Sequence, residues 1–163
     1  MTSTPAARRR YWDHRYRGWT VAVLAGEVCV TAGDETLTTV LGSCVAVCVR
    51  DRATGVGGMN HMLLPEGHGR ALIQRLVDGV LALGARRDDL EFKLFGGGHV
   101  IGGLSDIGGD NVASVRAYLA GHGFAIAAAD VGGHDARRLR YQPRTGRSML
   151  QRLPLDGAAL ESP

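Results

Sequence analysis

Among the 19 basic residues of this 163-residue chain, only Lys93 is lysine; the other 18 are arginine. Aromatics are scarce at 6%, and cysteine is limited to Cys29, Cys44 and Cys48. Three cysteines with no C-x-x-C spacing argue against a disulfide framework and against a structural zinc site. No apolar run reaches the roughly 18 residues that a membrane span requires. The segment from Met1 to Trp19 is Arg-rich without an apolar stretch, so it does not read as a secretory signal, and a cytoplasmic location is expected. No helix-turn-helix, zinc-finger or aromatic-interleaved basic signature is present, so nucleic acid is not an expected partner.

Glycine is plentiful instead, with 24 residues, about twice the usual ~7%. The glycines have no Gly-X-Y period, which excludes collagen and points to tight turns and close backbone approaches. Before Gly18 the chain carries five Arg against one Asp, so the net charge of +3 is largely an N-terminal feature. A second Arg cluster runs from Arg137 through Arg152. It reads either as a solvated face or as a surface for an acidic partner.

The pattern predicts a flexible basic arm over 1–18, one domain over 19–153 and a frayed tail over 154–163. Strands are expected on both sides of Gly26 within 20–31, then at 36–41, 45–49 and 56–64, and again at 90–95, 124–130, 139–142 and 148–153. Helical spacing appears twice. Leu72, Ile73, Leu76, Val77, Val80 and Leu81 predict a helix over 70–83, closed by Gly84. Val112, Val115, Tyr118 and Leu119 predict another over 111–120, capped by Asp110 or Asn111. Strands outnumber helices and include hairpins, so the fold class is α+β.

The most informative stretch is Leu41-Gly42-Ser43-Cys44-Val45-Ala46-Val47-Cys48, followed by Gly57-Gly58-Met59-Asn60-His61. A hairpin turning near Ala53 places Cys44 and His61 opposite each other or one step off register. Directly paired Cβ atoms lie roughly 5 Å apart, and an imidazole at that distance can deprotonate a thiol. Gly42 frees the backbone to turn, so the amides of Ser43 and Cys44 could hold an oxyanion. Gly57 and Gly58 leave a strand without side chains, as for a close backbone approach. Cys48 reads as core filler. The competing reading is an inert core cysteine beside a satisfied histidine. The run Gly96-Gly97-Gly98-His99 lacks the endings of a phosphate loop.

Thr38 through Cys48 (TTVLGSCVAVC), with Gly57 through Pro65 (GGMNHMLLP), strongly resembles the CheD family, the chemoreceptor glutamine deamidases. Lys93 to Gly97, Ile107-Gly108 with Asn111-Val112, Asp130 to Gly133 and Thr145 to Arg147 are similar landmarks in the family's order. The resemblance spans about residues 20–153. It implies an α/β/β/α sandwich of mixed sheets flanked by helices, similar to the catalytic domain of cytotoxic necrotizing factor. It also implies hydrolysis of selected Gln side chains on methyl-accepting chemotaxis receptors to Glu and ammonia, through a thioester and without cofactor or metal. Carried over by position, the nucleophile is Cys44, the base His61 and the residue orienting the imidazole Thr38, with Thr39 the alternative if the match slips by one. The implied partners are receptors and, in many members, a CheC-type phosphatase. The short Glu66–Arg70 link, Gly98 and Asp110 depart from the family pattern and bear on receptor choice and phosphatase docking. A non-catalytic regulator that binds receptor or phosphatase is the alternative function.

Overall fold

The computed structural model describes residues 9–63, 68–100 and 105–154. In chain order the strands are β1 (Arg10–Asp13), β2 (Gly18–Ala22), β3 (Val28–Thr31), β4 (Thr36–Leu41), β5 (Val45–Asp51) and β6 (Gly57–Asn60). Helix α1 (His68–Ala82), β7 (Leu90–Gly96), α2 (Ile107–Gly121), β8 (Ile126–Val131), β9 (Ala136–Gln142) and β10 (Arg147–Leu153) follow. Two five-stranded sheets result, ordered β1-β2-β4-β9-β10 and β3-β6-β5-β7-β8. Both are mixed: β2–β4 and β7–β8 are parallel pairs, and the other neighbours are antiparallel.

The alternation of β5 explains the layering. Val45, Val47 and Val49 face one way, into a core shared with Leu72, Ile73, Leu76, Val77 and Val80 of α1 and Val115 and Leu119 of α2. Ala46 and Cys48 face the other way, into an inter-sheet core with Leu37, Leu41, Leu139 and Tyr141. β5 is thus buried on both faces, which suits its continuous Val/Ala/Cys run. The α+β class holds. The expected α/β/β/α order does not appear among the described residues, because both helices cover the second sheet and neither covers the outer face of the first.

Two further expectations change. The arm expected over 1–18 contributes β1, which pairs with β2 in the register Trp12↔Trp19; residues 1–8 lie outside the described residues, as do 155–163 of the expected tail. Trp12 and Trp19 meet edge to face at 5.6 Å as a cross-strand pair, and Arg10 stacks over Trp19 at 3.9 Å. Helix α2 begins at Ile107, earlier than the predicted start at residue 111, because Asp106 accepts a hydrogen bond from the Gly109 amide at 2.9 Å and caps it. The close backbone approach expected at Gly57 and Gly58 is present, and neighbouring strands make it. A Cβ on Gly58 would meet the Cys29 carbonyl and, at 3.0 Å, both Leu76 and Val30.

Candidate active site

Residues Gly42, Ser43 and Cys44 carry the chain from β4 of the first sheet to β5 of the second. The loop is held by its carbonyls. Gly98 N–H donates to Gly42 O at 2.9 Å and Gly97 N–H to Cys44 O at 2.8 Å. Between them, the Asn111 carboxamide donates to Ser43 O at 2.9 Å. Gly96 and Gly97 have φ of +105° and +67°, conformations that glycine adopts without strain. The Gly-rich run therefore serves the loop that bears Cys44.

His61 follows β6. The bridge Val45↔Met62 and the pair Cys48↔Met59 set the register. His61 thus stands opposite Ala46, and Cys44 lies two positions along the same strand face, a diagonal neighbour rather than a direct one. Diagonal positions lie ~7–8 Å apart at the backbone, still within reach of a ring side chain. The imidazole's hydrogen bonds are to Thr39 and Val23, and among the described residues none joins it to the thiol.

The structure brings Thr39, not Thr38, to His61: Thr39 Oγ1 lies 2.7 Å from Nδ1. Thr38 Oγ1 instead donates to Leu139 O at 2.9 Å. The reason is strand alternation. Leu37, Thr39 and Leu41 are buried toward the second sheet, while Thr36, Thr38 and Val40 point away.

The threonine also sets the tautomer. Its hydroxyl proton goes to the Val23 carbonyl at 2.6 Å, since a carbonyl can only accept. Toward His61 the oxygen must then accept, so Nδ1 carries the proton and Nε2 keeps a free lone pair. Nδ1 also faces Val23 O at 3.4 Å. The backbone of His61 is tied down by His61 N–H to Glu27 O at 3.1 Å and Gly26 N–H to His61 O at 2.8 Å.

Burial holds His61 below its ordinary pKa, against the Val23 carbonyl and Glu27, which pull it upward. Burial likewise pushes the Cys44 thiol up, partly offset by its own amide. At neutral pH the resting pair is therefore thiol and neutral imidazole. The other two cysteines are less suited to react. Burial, with Glu35 and Glu27, raises Cys29 to about 12, and Cys48 is raised by complete enclosure. Cys44 alone is half-buried. No group of three or more His, Cys, Asp or Glu that could hold a metal occurs among the described residues.

A cleft of about 700 Å³ opens beside His61, lined also by Thr38, Thr39, Tyr16, Arg138 and Arg140; Cys44 is not part of its wall. The Arg cluster expected as one surface is divided. Arg140 pairs with Asp13 at 3.2 Å beneath Tyr16. Arg137 is buried against Asp130 at 2.6 Å.

Two buried asparagines beside the site are given no such place by the sequence pattern. Asn60 sits wholly buried in β6, accepting from Val47 N–H at 2.8 Å and donating to Leu72 O at 3.2 Å. Asn111 was read as a helix cap, whereas it is buried on the inner face of α2. A polar residue in phase with Val115 and Leu119 was the available signal.

The two-sheet α+β fold thus brings a half-buried thiol and a threonine-held imidazole to neighbouring strand ends, the groups a thiol–imidazole site would need. The family described as CheD chemotactic sensory transduction matches residues 58–152. A protein of Halorhodospira halophila, named a probable chemoreceptor glutamine deamidase CheD, is 40% identical over 88% of this chain and 74% of its own length. Proteins of the same name from Rhodopseudomonas palustris and a Caulobacter species are 43% and 42% identical, covering 91% and 86% of this chain and 76% and 81% of their own lengths. The chain belongs to the CheD family.

Proposed function

We propose that this protein hydrolyses the side-chain amide of selected glutamines on chemoreceptors, giving glutamate and ammonia, with Cys44 as nucleophile. The observation that carries the reading is the hydrogen-bonded Val23–Thr39–His61 chain, which leaves Nε2 unprotonated on the same strand face as the least buried cysteine. Nε2 takes the thiol proton as the sulfur attacks the glutamine Cδ. The amides of Ser43 and Cys44 stabilise the oxyanion. The C–N bond then breaks as His61 returns the proton to the leaving ammonia, and a thioester remains. Water, deprotonated by the same nitrogen, releases glutamate and restores the thiol. Thr39 fixes the ring without adding negative charge. Among the described residues no helix is long and apolar enough to cross a membrane. A CheC-type phosphatase is the second partner the reading includes.

One observation favours the regulator reading: the resting thiol is held neutral and is not hydrogen-bonded to the imidazole. Ammonia release from a receptor cytoplasmic fragment separates the two. Release that disappears in Cys44→Ala supports the deamidase. Binding without release from several receptors by the folded protein supports the regulator.

A further inference from the structure

Asn111 lies in the second turn of α2, 2% exposed, with its carboxamide directed at the loop that bears Cys44. Its Nδ2 donates to Ser43 O at 2.9 Å and makes a longer contact of 3.5 Å with Leu63 O, two residues beyond His61. Both partners are carbonyls, so the nitrogen must face them. Its Oδ1 is buried and has no partner among the described residues. An orphaned buried acceptor costs about as much as one good bond returns. For folding alone the amide is therefore close to neutral, and its value lies in where it points.

The Ser43 carbonyl and the Cys44 N–H belong to one peptide plane. In a trans peptide they point in opposite directions. Holding Ser43 O toward α2 therefore turns the Cys44 N–H away from the helix, and that N–H faces its own sulfur. The neighbouring plane is fixed in the same way, because Gly98 N–H holds Gly42 O and so orients the Ser43 N–H. Among the described residues nothing else accepts from the Ser43 amide. Helix α2 can approach closely enough to do this because Gly108, one turn before Asn111, packs against the backbone of Gly97 and Gly98 with no room for a Cβ.

We propose that Asn111 is a positioning residue for the oxyanion donors: its carboxamide clamps the Ser43–Cys44 peptide plane so that the Cys44 N–H points at the carbonyl under attack. The inference rests on the deamidase reading. Its test uses two reactions of the same sulfur. Deamidation passes through an oxyanion, whereas alkylation by iodoacetamide is a direct displacement and does not. Asn111→Ala in the full chain is expected to lower kcat for ammonia release by roughly 10²–10³-fold, the scale of one lost oxyanion donor. KM, the alkylation rate of Cys44 and Tm should stay near their wild-type values. Asn111→Leu, which refills the volume, should behave alike and serves if the alanine variant does not fold.

A folded variant with kcat within threefold of wild type overturns the proposal. So does a parallel fall of kcat, alkylation rate and Tm, or the failure of both variants to fold, because each marks a merely structural role. If the wild-type protein releases no more ammonia than Cys44→Ala, the deamidase reading itself fails and the inference goes with it; the loss is then seen in the unmutated chain.

Discussion

At the scale of single residues, adjacent threonines on one strand have opposite fates. Thr39→Val keeps the shape and removes the oxygen that accepts from Nδ1. It is expected to cut kcat by ~10²-fold or more, within the range for acid–base catalysis, while Thr38→Val changes it little. Steady-state ammonia release from the two variants checks this, and the reverse ranking would restore Thr38. The pH profile follows from the two shifted groups. Burial makes His61 titrate below the ordinary imidazole range and Cys44 above the ordinary thiol range. The active pair shares one titratable proton between Sγ and Nε2, lost at high pH and joined by a second at low pH. kcat/KM should therefore be flat through neutrality, with an acid limb below the ordinary imidazole range and an alkaline limb above the ordinary thiol range. Iodoacetamide labelling of Cys44 should be slow at pH 7 and climb at alkaline pH. Labelling already saturated at pH 6 would show a preformed thiolate instead. The residue types were legible in the motif. Which threonine serves was not, since a slip of one residue reverses every side chain on a strand.

At the scale of elements, β6 shows how a short strand can carry a site. It lies between β3 and β5 under α1, and Gly58 is the point where these neighbours converge. Gly58→Ala is expected to cost about 1–3 kcal/mol through overpacking, and so to lower Tm by ~2–4 °C per kcal/mol for a chain of this size. Activity should fall further than Tm alone explains, because His61 is three residues downstream. A thermal melt alongside the ammonia assay checks both. An unchanged melt would mean that the Cys29 carbonyl and Leu76 move aside freely. Period and turn signals located β4, β5 and α1 well. They placed the start of α2 several residues late, because Gly108 and Gly109 look like helix breakers. What holds them in the helix is the Asp106 cap and the backbone of Gly97 and Gly98.

At the scale of the whole molecule, the two sheets must stay in register for Thr39 of one to meet His61 of the other. Arg137 contributes to that alignment. It leaves β9 in the first sheet, is 1% exposed, and bonds the Asp130 carboxylate and carbonyl in β8 of the second sheet, together with Gly132 O. Arg137→Ala should therefore cost about 1.5–3 kcal/mol, the scale of lost hydrogen bonds from a charged donor, because Asp130 is itself 34% exposed and keeps Arg152. That corresponds to a Tm lower by roughly 3–12 °C. A melt within 2 °C of wild type would show that the sheets align without it.

The chain's local patterns were enough to determine the α+β class, most of the strands and the pairing of a thiol loop with a histidine strand, because alternation, glycine turns and apolar spacing act over a few residues. Tertiary structure alone decided the rest. It set which threonine faces inward, which nitrogen of His61 carries the proton, and how far the hairpin register sits from a direct Cys44–His61 pairing. It also recruited Asn111 from a helix 67 residues beyond Cys44, and left the outer face of the first sheet without a helix among the described residues. Each of these depends on contacts between residues far apart in the chain, where sequence spacing carries no distance.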